Sequence, residues 1–193
     1  MVWRAAAAEP CACHTEAVAE TVREWVVAGA LVESDGRLLL VRNQRRGGHE
    51  DWSTPGGVID AEDGSVLAGL TREVEEETGL RVTRWEGPLY EVEAVAPDLG
   101  WVMRCEVHRA IDYEGDVQVA DPDGIVVEAA FVATADAGEM LERCHPWVGE
   151  PIADWLAQPW GPESVRRYCY EVRGTARAAL EVTRTDRDGG VRD

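Results

Sequence analysis

Lysine is absent from this sequence: all 19 basic residues are arginine, set against 37 aspartates and glutamates for a formal net charge of −18. So large a deficit of positive charge excludes a general nucleic-acid binder, whose affinity rests on attraction to phosphates. A long apolar run is also missing. Although 45% of the residues are hydrophobic, none of their runs approaches the ~20 positions of a membrane span, so no membrane partner is expected. Cysteine is sparse, odd in number and scattered (Cys11, Cys13, Cys105, Cys144 and Cys169), a poor basis for a disulfide framework. Met1 to Glu9, with one Arg and an Ala run, is too short and too weakly apolar for a secretory signal. A reducing, cytoplasmic location is the expectation. The 193 residues suffice for one domain with a substantial core and short extensions, and they contain no internal repeat.

Three regions are expected along the chain: an N-terminal extension over 1–24, helical from about Thr15 or partly disordered, a domain over 25–182, and a disordered tail over 183–193. Cys11, Cys13 and His14 invite a metal reading, but no second Cys/His pair follows at zinc-site spacing. Trp25–Val32 and Leu38–Val41 read as strands joined by the turn signal Ser34-Asp35-Gly36. Arg42–Ser53 is polar and reads as a loop ending in Pro55-Gly56-Gly57. Leu89–Val95, Trp101–His108, Ile125–Val132 and Arg166–Val172 read as further strands, and Asp136–Arg143 and Val148–Leu156 as short helices. In the strand from Trp101, Met103, Cys105 and Val107 alternate with Arg104, Glu106 and His108, implying one buried and one wet face. Cys105 is therefore a core residue, not a nucleophile. Strands mixed with a few helices imply an α/β or α+β sandwich.

Gly56 to Leu80 carries the chemistry. Asp63-Gly64-Ser65 supplies capping residues, Val66–Thr78 lacks a breaker apart from Gly69, and Gly79-Leu80 matches a C-terminal glycine cap, which predicts a helix of three to four turns over 66–78. At about 100° per residue, Leu67, Leu70 and Val74 share one stripe. Glu73, Glu76 and Glu77 cluster beside it, and Glu75 points elsewhere. Like charges at i, i+3 and i+4 repel. The group is either a solvated acidic face or a set of hard oxygen donors for a divalent cation such as Mg²⁺. In so acidic a chain, a bound cation is also what would reverse the field for a phosphate anion.

Gly57, five residues, Asp63, eight residues, then Arg72-Glu73-Val74-x-Glu76-Glu77-x-Gly79-Leu80 resembles the signature of the Nudix hydrolase family. The C-terminal half matches completely. In the N-terminal half Asp63 stands where the family has Glu, and the spacer to Arg72 is one residue longer, so Glu62 and Asp63 both remain candidates for the first acidic position. The resemblance spans roughly Val26 to Trp155 and implies a Nudix-type α/β/α sandwich with a mixed central sheet. It further implies that Glu73, Glu76, Glu77 and the Gly56 carbonyl bind Mg²⁺ or Mn²⁺, and that Arg72 orients the glutamates.

The implied reaction is hydrolysis of a pyrophosphate bond in a nucleoside diphosphate linked to another moiety, with ADP-ribose as the first expectation. Within the motif the general base would be Glu76 or Glu77. Outside it Glu114, Asp121, Asp123 and Glu128 stay open. Arg42, Arg45 and Arg46 form a local basic cluster suited to phosphate, or else a solvated loop. Trp52 beside Gly57 would stack on the substrate or wall the core. His49, His108 and His145 carry no catalytic spacing. Two rivals stand beside this reading: a hydrolase of oxidised nucleoside triphosphates, and a Nudix-like module that binds a nucleotide metabolite without cleaving it. A homodimer is compatible with either.

Overall fold

The computed structural model describes residues 22–45, 47–176 and 179–186. Its largest sheet is built from β1 (Arg23–Leu31), β5 (Gly56–Val58), β6 (Arg81–Ala96), β7 (Trp101–Glu114), β9 (Arg166–Arg173) and β10 (Glu181–Arg184), in the order β10-β9-β6-β7-β1-β5. The β1–β7 and β6–β9 pairs are parallel and the rest antiparallel, so the sheet is mixed. A smaller antiparallel sheet joins β2 (Glu33–Ser34), β3 (Arg37–Gln44), β4 (Glu50–Ser53) and β8 (Val126–Ala133). Helix α1 spans Val66–Thr78, α2 Thr134–Leu141 and α3 Pro146–Ala157.

Each face of the large sheet carries a core, although β6 and β7 keep a charged stretch, Glu91 and Glu93 opposite Glu106 and Arg104, on the face that alternates with Tyr90 and Val92. One core sets Leu70 and Val74 of α1 against Ala28, Ala30, Val32, Leu39, Val82 and Ala110. The other sets α2 and α3, through Ala137, Leu141, Ile152 and Trp155, against Leu31, Tyr90, Val92, Tyr168 and Tyr170. Period-2 alternation in β3 sends Leu38 and Leu40 to the second core and Leu39 to the first. The α/β class and the mixed sheet expected from the sequence are present. α1 runs over the predicted residues, its first turn capped by Ser65, which accepts from the Ala68 N–H at 3.1 Å.

Several expectations are corrected. Arg23 and Glu24 belong to β1, not to an N-terminal helix; the remainder of that extension, with Cys11, Cys13 and His14, lies outside the described residues, as does Arg46. The expected loop from Arg42 contains the end of β3 and all of β4. The backbone ladder and buried Asn43, whose amide donates to Asp51 and Ser53, stabilise that hairpin without apolar alternation. Thr183 and Arg184, expected in the tail, sit in β10, paired with β9. His108 is buried, 4% exposed, not wet: its ring meets Trp85 edge-on and its Nε2 lies 3.2 Å from Glu106. Cys105 and Cys144 are free thiols, whereas Cys169 is disulfide-bonded, contrary to the expectation from spacing, because proximity in the fold and not spacing decides pairing.

Candidate active site

The site forms where α1 crosses the edge of the sheet at β5. Gly56 and Gly57 face Gly29 and Ala28 of β1. At Gly56, with φ +138°, any Cβ would fall on the Ala28 carbonyl, so only glycine brings this strand so close. At Gly57 a Cβ would lie 2.5 Å from Glu73 Oε2. The Gly pair therefore lets α1 press its acidic face onto the strand. The result is direct: the Gly56 N–H donates to Glu77 Oε2 at 2.8 Å.

Arg72 gathers the rest. Its guanidinium pairs bidentately with Asp63 (2.8 and 3.0 Å) and donates from Nη1 to Glu73 (2.8 Å) and Glu76 (3.1 Å). Asp63 also accepts from the Asp60 N–H at 2.8 Å. The first acidic position is thus filled by Asp63, while Glu62 is exposed. The Arg72 pair holds the Asp63 carboxyl below its usual range. The extra residue in the spacer is accommodated by the short 3₁₀ turn Ala61–Asp63 and Gly64 before Ser65 caps α1.

Burial pushes the Glu77 carboxyl up to about 8, against the opposing hydrogen bond from Gly56, and the charges of Glu73 and Asp121 add to the rise while Arg45 lowers it. Desolvation likewise raises Glu73 despite Arg72. Among the described residues no three His, Cys, Asp or Glu side chains converge as a ready-made metal cage, since Glu73 and Glu76 are turned to Arg72 and Glu77 to Gly56. The donor chemistry nevertheless fits a hard divalent cation. Carboxylate oxygens crowd one side of α1, and the most buried of them has only a backbone N–H as partner, so a positive charge is what this field lacks.

The other expected residues divide. Arg42 is occupied by Glu50 (2.7 Å) and Glu128 (2.9 Å), within the β3–β4–β8 sheet. Arg45 is held by Asp51 at 3.0 Å but remains near enough to Glu77 to act on its charge. Trp52 packs against the core containing α2 and α3, which is the wall reading of that residue. Of the outside acids, Asp121 faces Glu77 electrostatically, yet its two oxygens accept the N–H groups of Asp123, Ile125 and Val126. Glu128 is paired with Arg42, and Glu114 and Asp123 are exposed. His49 is exposed, and His145 stacks on Trp147 at 4.1 Å.

Sequence reasoning missed the cavity beside the site. About 320 Å³ in volume, it begins at Arg45, Thr54 and Gly56, crosses Met103 and Cys105 of β7, and reaches Tyr90 of β6, under a roof that includes Trp147 of α3. The alternation of Met103, Cys105 and Val107 did mark the floor. Nothing local marks the roof, which sits more than forty residues further along the chain.

A family model for the NUDIX domain matches residues 22–156. A MutT-like protein of Streptomyces ambofaciens is 42% identical over 137 residues, 69% of this chain and 86% of that protein. The MutT NUDIX hydrolase structure from Burkholderia pseudomallei resembles this one with a TM-score of 0.56 and 26% identity, over 72% of this chain and 99% of that one. A mutator MutT protein from Bacillus halodurans shares the fold at a TM-score of 0.60 and 22% identity, over 83% and 97% of the two chains. With the acidic helix, its arginine clamp and the Gly pair in the places the motif requires, this chain belongs to the Nudix hydrolase family.

Proposed function

We propose that the protein is a pyrophosphohydrolase dependent on Mg²⁺ or Mn²⁺, which cleaves the phosphoric anhydride of a nucleoside diphosphate joined to a further moiety. The observation that carries this reading is the junction at Gly56, where the glutamates of α1 and the mouth of the apolar cavity meet across one strand. Glu73, Glu76, Glu77 and the Gly56 carbonyl would hold the cation, which supplies charge neutralisation at the phosphates and a more acidic water. Arg72, fixed by Asp63, orients Glu73 and Glu76. Glu76 or Glu77 accepts the proton of the attacking water. Arg45 at the cavity mouth faces the phosphates, and the cavity excludes water from a ring of the substrate.

An ADP-ribose-type compound is the first substrate to test. A second reading is an oxidised nucleoside triphosphate, whose nucleobase the cavity would accommodate equally, its volume suiting one ring system. Among the described residues no helix is long and apolar enough to cross a membrane; a cytoplasmic setting remains a proposal, with the disulfide at Cys169 removing the cysteine argument for it. A panel of ADP-ribose, nucleotide sugars and 8-oxo-dGTP, each with Mg²⁺ and with Mn²⁺, separates the readings by which product carries the new phosphate. Tight nucleotide binding without turnover of any compound would favour the non-catalytic module.

A further inference from the structure

Tyr90 is 2% exposed, and its ring is clamped edge-on by Tyr168 at 5.8 Å and Trp160 at 6.4 Å. It lines the cavity on β6, of the cavity's sheet strands the one farthest from Gly56. Among the described residues its hydroxyl has no hydrogen-bond partner, whereas the phenols of Tyr113, Tyr168 and Tyr170 each donate to a carbonyl or carboxylate. The only fully enclosed side-chain polar atom without a partner among the described residues is His108 Nδ1, so the Tyr90 hydroxyl keeps accessible surface of its own. Tyr90 lines the cavity, so the little surface it keeps adjoins that space. The nearby thiols offer little: Cys144 donates to the Leu141 carbonyl at 2.7 Å and Cys105 leans on the Glu106 carbonyl at 3.8 Å.

A buried hydroxyl that is rigidly held and unpartnered is rare in native proteins. Here the wall around it is apolar, formed by Val92, Met103, Cys105, Val107 and Ile152. Three strand spacings separate β5 from β6, roughly 14 Å at ~4.8 Å each, which is the reach of a nucleoside whose phosphates lie at Gly56. We infer that the Tyr90 hydroxyl is a specificity-determining contact, making one hydrogen bond to the innermost edge of the nucleobase. The inference rests on the proposed reading that the cavity takes a nucleoside ring. Burial also raises the phenol well above its ordinary range, so at working pH it keeps its proton and offers both a donor and an acceptor. With one polar group among the apolar side chains at its inner end, the cavity discriminates there by which ring edge is presented and by ring size, and less by a full pattern of donors and acceptors.

Tyr90→Phe removes the hydroxyl at almost constant volume. Three measurements on the full chain test it: Mg²⁺-dependent hydrolysis of ADP-ribose and 8-oxo-dGTP, inhibition by inorganic diphosphate, and saturation-transfer NMR of adenosine and guanosine with the metal-free protein. The expected result is a KM raised about tenfold for the compound turned over, kcat within about twofold, an unchanged diphosphate inhibition constant, a weaker nucleoside signal and an unlowered Tm. Equal KM and equal nucleoside signals in the two proteins overturn the inference. So does a parallel loss for diphosphate, which would make the effect structural. If neither nucleotide is hydrolysed but nucleoside binding weakens in the variant, hydrolysis fails as a reading and the Tyr90 contact stands. A wild-type protein that binds no nucleoside overturns the contact, whatever it hydrolyses.

Discussion

In α1 the side chain of Glu75 is exposed and has no ion-pair partner among the described residues, while Glu76, the next residue, accepts from Arg72 at 3.1 Å, and Glu77 accepts from the Gly56 N–H at 2.8 Å. A turn of about 100° per residue separates chemically identical groups into solvent and site. Each Glu→Gln change removes one charge at nearly constant volume. Turnover should fall by several orders of magnitude for Glu76→Gln and Glu77→Gln and stay near wild type for Glu75→Gln, as steady-state assays of the three variants will show. Equal small effects would return the acidic run to a solvated face. Asp63 offers a second contrast. Asp63→Asn loses the charge opposite Arg72 and should cost about 1–2 kcal/mol of stability with a modest fall in activity, whereas Glu62→Gln should leave both unchanged; thermal melts and kcat/KM measure this. That Asp63 and not Glu62 fills the position was not legible in sequence, because the two are adjacent and the spacer is irregular. The bidentate geometry decided it.

At the scale of elements, α1 was fully legible: its cap, its apolar stripe and its terminal glycine all agree. Gly69 is the one breaker residue within that helix, where alanine normally stabilises by up to about 1 kcal/mol. The structure gives it another role. A Cβ there would lie 2.7 Å from Asp63 Oδ2 and 2.9 Å from Ile59, so the helix leaves a gap in which the Asp63–Arg72 pair rests. Gly69→Ala should therefore lower both Tm and activity, the reverse of its propensity effect, and a rise in Tm with full activity would refute the packing argument. The short strands β4, β5 and β10 were not legible, since backbone pairing alone specifies them and their side chains show no long alternation.

β10 also links to the cavity roof. Arg184 pairs with Asp186 (2.9 Å) and reaches Glu150 (3.4 Å) and Asp154 (3.5 Å) of α3 while lying over the Tyr168 ring. For Asp186 burial works upward, but hydrogen bonds from Arg184 and the Cys169 N–H outweigh it, so the carboxyl titrates below its usual value. A depressed carboxylate contributes stability that is fully present above its unfolded-state pKa and is lost as pH falls through the folded value. Unfolding measured from pH 6 downward should thus show a loss below about pH 4 that is shallower in Asp186→Asn.

For the whole molecule, a net charge of −18 opposes the approach of any diphosphate. Hydrolysis should vanish in excess EDTA and return with Mg²⁺ or Mn²⁺. Activity that survives chelation would remove the metal from the proposed mechanism and leave the fold untouched.

What the sequence determined by itself was the acidic helix, the class of fold and the buried face of the strand from Trp101, because helical period, capping and apolar alternation are local properties that a linear pattern records. What only the tertiary structure decided was which acid Arg72 selects, that His108 is buried, that Arg42 is consumed by Glu50 and Glu128, and that Tyr90 and Trp147 face one cavity. Each of these depends on segments far apart in the chain arriving at the same place, and the periodicity of any one segment carries no record of the surface it will meet.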